Sequence, residues 1–109
     1  MLSYPEKTVI TEGPGDQEVE EGKNAILTCQ IESDDNLELT VRWSFNDNDL
    51  NTDVDHGKYR LNSDKSLTVI KAQKSDGGAF TCNAITTFSN ASTEGSLTIL
   101  SKLTEMFGI

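Results

Sequence analysis

Positive charge is scarce in this chain. Nine lysines and arginines stand against eighteen aspartates and glutamates in 109 residues, for a net charge of −9. That deficit argues against nucleic acid as a partner, because a phosphate backbone would be repelled. It argues equally against heparin-like chains and acidic lipid surfaces. A basic protein surface is permitted, although a charge of this sign also serves plain solubility. Self-association across an acidic face is penalised at low salt, so the isolated chain is expected to be monomeric.

Apolar runs are short as well. No stretch approaches the roughly 18 apolar residues needed to cross a bilayer, so direct membrane insertion is not expected. Met1-Leu2-Ser3-Tyr4-Pro5-Glu6-Lys7 turns polar before a leader of signal length could form. If the parent protein is secreted, the chain is therefore expected to be an excised piece of it. Histidine occurs once, at His56, with no cysteine or second histidine spaced to join it as a zinc ligand. No nucleophile-elbow motif frames a serine, and no glycine loop of phosphate-binding type is present. No catalytic residue, cofactor or metal site is expected, and the chain does not read as an enzyme. Asp47, Asp49, Asn51, Asp53 and Asp55 alternate in a way that invites a calcium reading. Against the EF-hand pattern, however, the glycine position holds Val54 and the final acid position holds Arg60. A solvated acidic loop is the better reading.

What is present is one domain's worth of chain with two cysteines. Cys29 and Cys82 stand 53 positions apart, too far for a metal knuckle or a redox Cys-x-x-Cys pair. One disulfide closing a long loop is the natural reading, and disulfides persist outside the cytosol. Two buried free thiols in an intracellular domain are the alternative.

The local signals are short strands and turns. Thr8 to Ile10 follows Pro5 and suits an edge strand. Gly13-Pro14-Gly15-Asp16 is a kink, after which Gln17 to Glu20 resumes pairing with Val19 inward. Asn24 to Ile31 alternates, with Ala25, Leu27, Cys29 and Ile31 on one face. Leu37 to Phe45 alternates again, with Leu39, Val41 and Trp43 on one face and Thr40, Arg42 and Ser44 on the other. Asn46 to Gly57 is loop-like, with at most one short edge strand. Lys58 to Asn62 and Ser66 to Ile70 follow, the latter with Leu67 and Val69 inward. Lys71 to Gly78 crosses between sheets, with Ala72 tucked beneath. Ala79 to Ile85 puts Phe80, Cys82 and Ala84 inward, Thr87 to Ala91 turns, and Thr93 to Leu100 closes the sheet. About eight short strands at this turn spacing mark an all-β sandwich.

Three features coincide on that pattern. Trp43 lies 14 residues after Cys29, Asp76-Gly77-Gly78-Ala79-Phe80-Thr81-Cys82 matches Asp-x-Gly-x-aromatic-x-Cys, and Leu67-Thr68-Val69 precedes that motif. Two cysteines facing inward from opposite sheets can bond across the core, with Trp43 packed on the bridge. Gly78 allows a tight entry into its strand and Asp76 can bond its own turn.

With these residues the sequence resembles the immunoglobulin superfamily over about residues 7–100, and its intermediate set more than its variable set. Residues 1–6 then form an N-terminal linker and 101–109 a C-terminal linker or tail. Glu12 to Val19, Leu37 to Trp43 and His56 to Arg60 are similar to the later immunoglobulin domains of neural adhesion molecules, the neurofascin–neuroglian group and the contactins. The resemblance implies an immunoglobulin-like Greek-key β-sandwich of two antiparallel sheets with one inter-sheet disulfide. It also implies an extracellular module of a membrane-anchored or secreted multidomain protein, acting in adhesion toward other cell-surface or matrix proteins, or as a spacer. The rivals are a ligand-binding ectodomain module of a receptor kinase or immune receptor, and an intracellular muscle-scaffold domain. The family usually has tyrosine where this chain has Phe80, and the missing hydroxyl implies a small stability deficit.

One modification motif stands outside that frame. Asn90-Ala91-Ser92 is an Asn-x-Ser triplet with a permissive middle residue, a candidate N-glycosylation acceptor if the chain is secreted and otherwise a chance match, expected in the turn before the last strand. Arg42 points away from Trp43 onto the outer face of its strand; if Asn83 and Ile85 share that face a mixed polar and apolar patch results, with an ordinary solvated sheet as the better reading for any one of these residues.

Overall fold

The computed structural model describes residues 7–50 and 57–101. Ten strands account for most of them, and no α-helix occurs among the described residues. The larger sheet has the order β2 (Gln17–Glu20), β10 (Asn90–Leu100), β9 (Gly78–Ile85), β5 (Thr40–Phe45) and β6 (Asn48–Asp49). Facing it, β3 (Ala25–Leu27) pairs with β8 (Leu67–Val69), which pairs with β7 (Tyr59–Leu61). A two-stranded ribbon of β1 (Val9–Glu12) and β4 (Gln30–Glu32) extends that layer.

Period-2 alternation builds the core between the layers. Ala25 and Leu27 face inward while Ile26 between them stays 56% exposed. Phe80, Cys82 and Ala84 are fully buried along β9, and Leu97 and Ile99 are buried along β10. Tyr59, Leu67, Val69 and Ala72 fill the opposite side. The disulfide joins Cys29, between β3 and β4, to Cys82 in β9, and so ties the layers together.

Three features depart from the sequence reading. The sheets are not wholly antiparallel, because β2 pairs parallel to β10, with Val19 opposite Ile99. The cause is the kink at residues 13–16, which carries the chain from the β4 edge of one layer to the β10 edge of the other. It crosses β10 at Gly95, where a Cβ would collide with the Gly15 backbone. Next, the run from Asn24 to Ile31 is not one strand. It breaks at Thr28 and Cys29, with β3 pairing to β8 and β4 pairing to β1. Lastly, the strand carrying Trp43 begins at Thr40 rather than Leu37. Asp34 draws the preceding chain into a turn, its carboxylate accepting from Asn36 N at 2.8 Å and its carbonyl from Leu37 N at 3.0 Å.

Candidate functional site: the outer face of the five-stranded sheet

Alternation that buries Trp43 and Cys82 turns their neighbours outward. Arg42 is directly opposite Asn83, and Asn83 is opposite Ser92. One step along, Thr40 is opposite Ile85, and Ile85 is opposite Asn90. These rows, with Asp49 of β6, form an open depression of about 440 Å³ lined by Arg42, Asp49, Asn83, Ile85, Asn90, Ala91 and Ser92. Arg42, Asn83 and Ile85 therefore do share one face. It presents one guanidinium, one carboxylate, amide and hydroxyl groups, and a half-buried isoleucine. A smaller depression of about 260 Å³ lies beside it, around Glu38, Thr40, Ile85, Thr86 and Thr87.

The Asn90 triplet sits differently from the turn expected for it. The β9–β10 connection is closed early, by Thr86 N donating to Ser89 O at 2.9 Å. The Thr86 hydroxyl reinforces it, accepting from Ser89 N at 3.1 Å and Phe88 N at 3.3 Å. Pairing resumes at once, so Asn90 is the first residue of β10. Asn90 and Ser92 are both exposed, on the same outer face.

Behind this face, side chains pin the scaffold. Trp43 is 2% exposed and directly opposite Cys82 in the ladder, so the indole lies beside the disulfide within one sheet. Its Nε1 donates across the core to Lys65 O at 3.1 Å, in the β7–β8 turn. In that turn the Asp64 carboxylate accepts from the Ser66 hydroxyl at 2.5 Å and from Ser66 N at 3.0 Å. The hydroxyl first, and the backbone N–H second, hold the Asp64 carboxyl below its usual range. Phe80 packs against Phe45 with the rings tilted by 42° and their centroids 4.7 Å apart, and meets Tyr59 edge-on at 6.5 Å.

Asp76 does more than bond its own turn. Its Oδ2 accepts from Gln73 N at 2.7 Å, closing the short 3-10 turn Lys74–Asp76, and from Lys58 Nζ at 2.6 Å. Lys58 also donates to Ile70 O at 3.3 Å, so one ammonium ties the start of β7 to the inter-sheet crossing. Nothing local in the sequence marks Lys58 for that role. Asn46 is a second residue that sequence reasoning passed over. With Asp47 it forms a two-residue hairpin, φ 49° and 70°, between Phe45 and Asn48. Asn-Asp is an available signal for such a turn, because both residues tolerate positive φ. Thr8 is a third: its backbone N donates to Ser89 Oγ at 2.7 Å, fastening the incoming chain to the β9–β10 turn.

Asn51, Asp53, Asp55 and His56 lie outside the described residues, as do residues 1–6 and 102–109 of the two flanking segments. Among the described residues no three His, Cys, Asp or Glu side chains cluster to hold a metal ion. No helix of the described residues is long and apolar enough to cross a membrane.

Comparison with known proteins agrees with this geometry. Residues 8–99 match the family described as immunoglobulin I-set domain. Mouse contactin-2 is 33% identical over 103 residues, covering 91% of this chain and 10% of contactin-2. Chicken neurofascin is 33% identical over 99 residues, 91% of this chain and 7% of neurofascin. Neuroglian of Drosophila melanogaster is 31% identical over 98 residues, 90% of this chain and 8% of neuroglian. The chain thus spans a tenth or less of each of these relatives. Among solved structures, titin domain M7 superposes with a TM-score of 0.78 at 26% identity, covering 90% of this chain and 98% of that one. Extracellular domains 3–5 of Drosophila OTK give 0.78 at 17% identity, covering 88% of this chain and 32% of that one, which is a likeness of fold alone.

Proposed function

We propose that this chain, which belongs to the immunoglobulin I-set family, is a non-catalytic extracellular module of a multidomain cell-surface adhesion protein. The observation that carries the reading is the Cys29–Cys82 disulfide across the core, in a chain 31–33% identical to contactin-2, neurofascin and neuroglian. A buried disulfide persists in an oxidising compartment, and the named relatives supply the adhesion context. The work of such a module is recognition of protein on another cell or in the matrix, or rigid spacing of its neighbours. The outer face around Arg42, Asn83 and Ile85 has the mixed character that recognition uses, with a net charge of −9 favouring a basic partner. Receptor-kinase and immune-receptor ectodomains would use the same module, and only the flanking domains distinguish them.

The intracellular scaffold reading keeps a foothold, because titin domain M7 and the extracellular domains of OTK fit this fold equally well. Fold likeness therefore does not choose a compartment, and the disulfide is the discriminating chemistry. The test is an antibody against this domain applied to intact cells that express the full parent protein. Staining without permeabilisation is expected. Staining that appears only after permeabilisation overturns the reading.

A further inference from the structure

We infer that Asn90 is an N-glycosylation acceptor and that the first sugar of its glycan lies over Ile85 in the depression on the outer face. The inference rests on the extracellular reading above and adds to it a covalent site and its ligand class, a neutral N-acetylated sugar.

Four observations carry it. Asn90-Ala91-Ser92 satisfies the acceptor pattern, with a small residue between amide and hydroxyl. Asn90 and Ser92 are exposed on the same face, two residues apart on β10, and the side chain of neither makes a hydrogen bond among the described residues. A glycan attached to the unfolded chain can therefore remain when β10 pairs with β9, because it points away from the core. Asn90 is also a wall of the depression of about 440 Å³, and its ladder partner is Ile85. A pyranose ring has an apolar C–H face and a rim of hydroxyls, which suit a half-buried isoleucine flanked by Arg42 and Asn83. Finally, the sugar is uncharged, so the net charge of −9 that discourages anionic ligands imposes no penalty here.

The chemistry balances as a simple transfer from a lipid-pyrophosphate-linked oligosaccharide. Asn90 Nδ2 forms the bond to C1 of the sugar and gives up one proton, the C1–O bond to pyrophosphate breaks, and the lipid pyrophosphate leaves. No redox step is involved. A glycan in this place occupies the Ile85 part of the face, so a glycosylated module meets a protein partner through the rest of its surface or serves as the rigid spacer.

The experiment secretes the chain from a eukaryotic host behind a supplied leader, so that glycan transfer is tested independently of where the parent protein resides. Expected is a mass increase at the peptide carrying Asn90, its removal by peptide-N-glycosidase with conversion of that residue to aspartate, and no increase in Asn90→Gln or Ser92→Ala. Nuclear Overhauser contacts between the N-acetyl sugar and the Ile85 methyls are expected in the folded glycoprotein. A secreted, disulfide-bonded chain with unmodified Asn90 overturns the acceptor. A glycan without contacts to Ile85 overturns its placement. Either failure leaves the extracellular reading standing, and failed staining of intact cells would leave glycan transfer to the leader-bearing chain unchanged.

Discussion

The Asn46 side chain occupies the space that a Cβ at Gly78 would fill. A Cβ built there would lie 2.7 Å from Asn46 Oδ1 and 2.9 Å from Phe45 Cε1. The absence of that carbon lets Asn46 bracket Ala79, its N donating to Ala79 O at 2.8 Å and its Oδ1 accepting from Ala79 N at 2.9 Å. The pair of bonds carries the β5–β9 ladder one step past Phe45. Gly78→Ala is expected to destabilise the fold by about 2 kcal/mol, through overpacking at this contact together with a φ of 157° that a side chain rarely adopts. In an Asn46→Ala background the same change should cost less, since the obstructing carboxamide is gone. Denaturant melts of the two singles and the double give the coupling, and additive costs would refute the contact as the cause.

Asp76 and Lys58 are expected to be unequal partners. The Asp76 side chain is 9% exposed and that of Lys58 27%, at a separation of 2.6 Å. Removing the carboxylate strands Gln73 N as well as the ammonium, whereas a lysine freed of its partner can reach water. Asp76→Ala should therefore cost about 2–3 kcal/mol, and Lys58→Met about 1–2 kcal/mol, since Asp76 keeps its bond from Gln73 N. Urea midpoints measure the order, which reverses if the ammonium is the more constrained partner.

What the sequence made legible were features whose cause is local. Alternation alone marks Phe80, Cys82 and Ala84 as inward, and all three are fully buried. The interval from Cys29 to Trp43 and the motif ending at Cys82 place three residues of one core, where Trp43 and Cys82 are opposite each other. The missed features depend on chain segments that meet only in the fold. The parallel pairing of β2 with β10 joins positions 17–20 to 97–100. Lys58 and Asp76 are brought together by the crossing between sheets, and no spacing rule relates them. The start of β10 moved from Thr93 to Asn90 because Thr86 closes its own short turn, a hydroxyl effect that apolar periodicity does not register.

Asp64 provides a pH dependence with a definite sign. Its carboxylate accepts two bonds from Ser66, and its pKa is lowered by them. A group lowered in the folded state stabilises the fold when ionised, so the contribution is fully present above the ordinary aspartate range and is lost as pH falls through the folded value. Resonances of Asp64 followed by NMR should titrate below that ordinary range. Ser66→Ala should return the midpoint toward it, and an unmoved midpoint would show that the hydroxyl is not responsible.

The disulfide is expected to contribute more stability than any single polar contact. It closes a loop of 53 positions, which in the chain-entropy model is worth roughly 4 kcal/mol. Replacing both Cys29 and Cys82 by alanine also leaves a void beside Trp43, so the loss should reach at least that figure. A thermal midpoint unchanged from the parent chain would contradict the bond's structural role.

Phe80 offers the opposite test, a substitution expected to stabilise. It is fully buried, with Phe45 packed at a tilt on one side and Tyr59 edge-on. Its ring already meets the packing requirement, so Phe80→Tyr adds only a hydroxyl. In the usual corner of this family that hydroxyl bonds to backbone a few residues upstream. Here the chain upstream is the 3-10 turn ending at Asp76, whose carboxylate is engaged by Gln73 and Lys58, and the backbone carbonyls of that turn are the acceptors within sequence reach. A bond made there should raise stability by about 1 kcal/mol, whereas a hydroxyl left buried without a partner would lower it by a similar amount or more. The sign of the shift in denaturant midpoint thus reports whether the corner has kept its acceptor. A gain means that the turn offers the hydroxyl an acceptor, and a loss means that the hydroxyl is buried there without one.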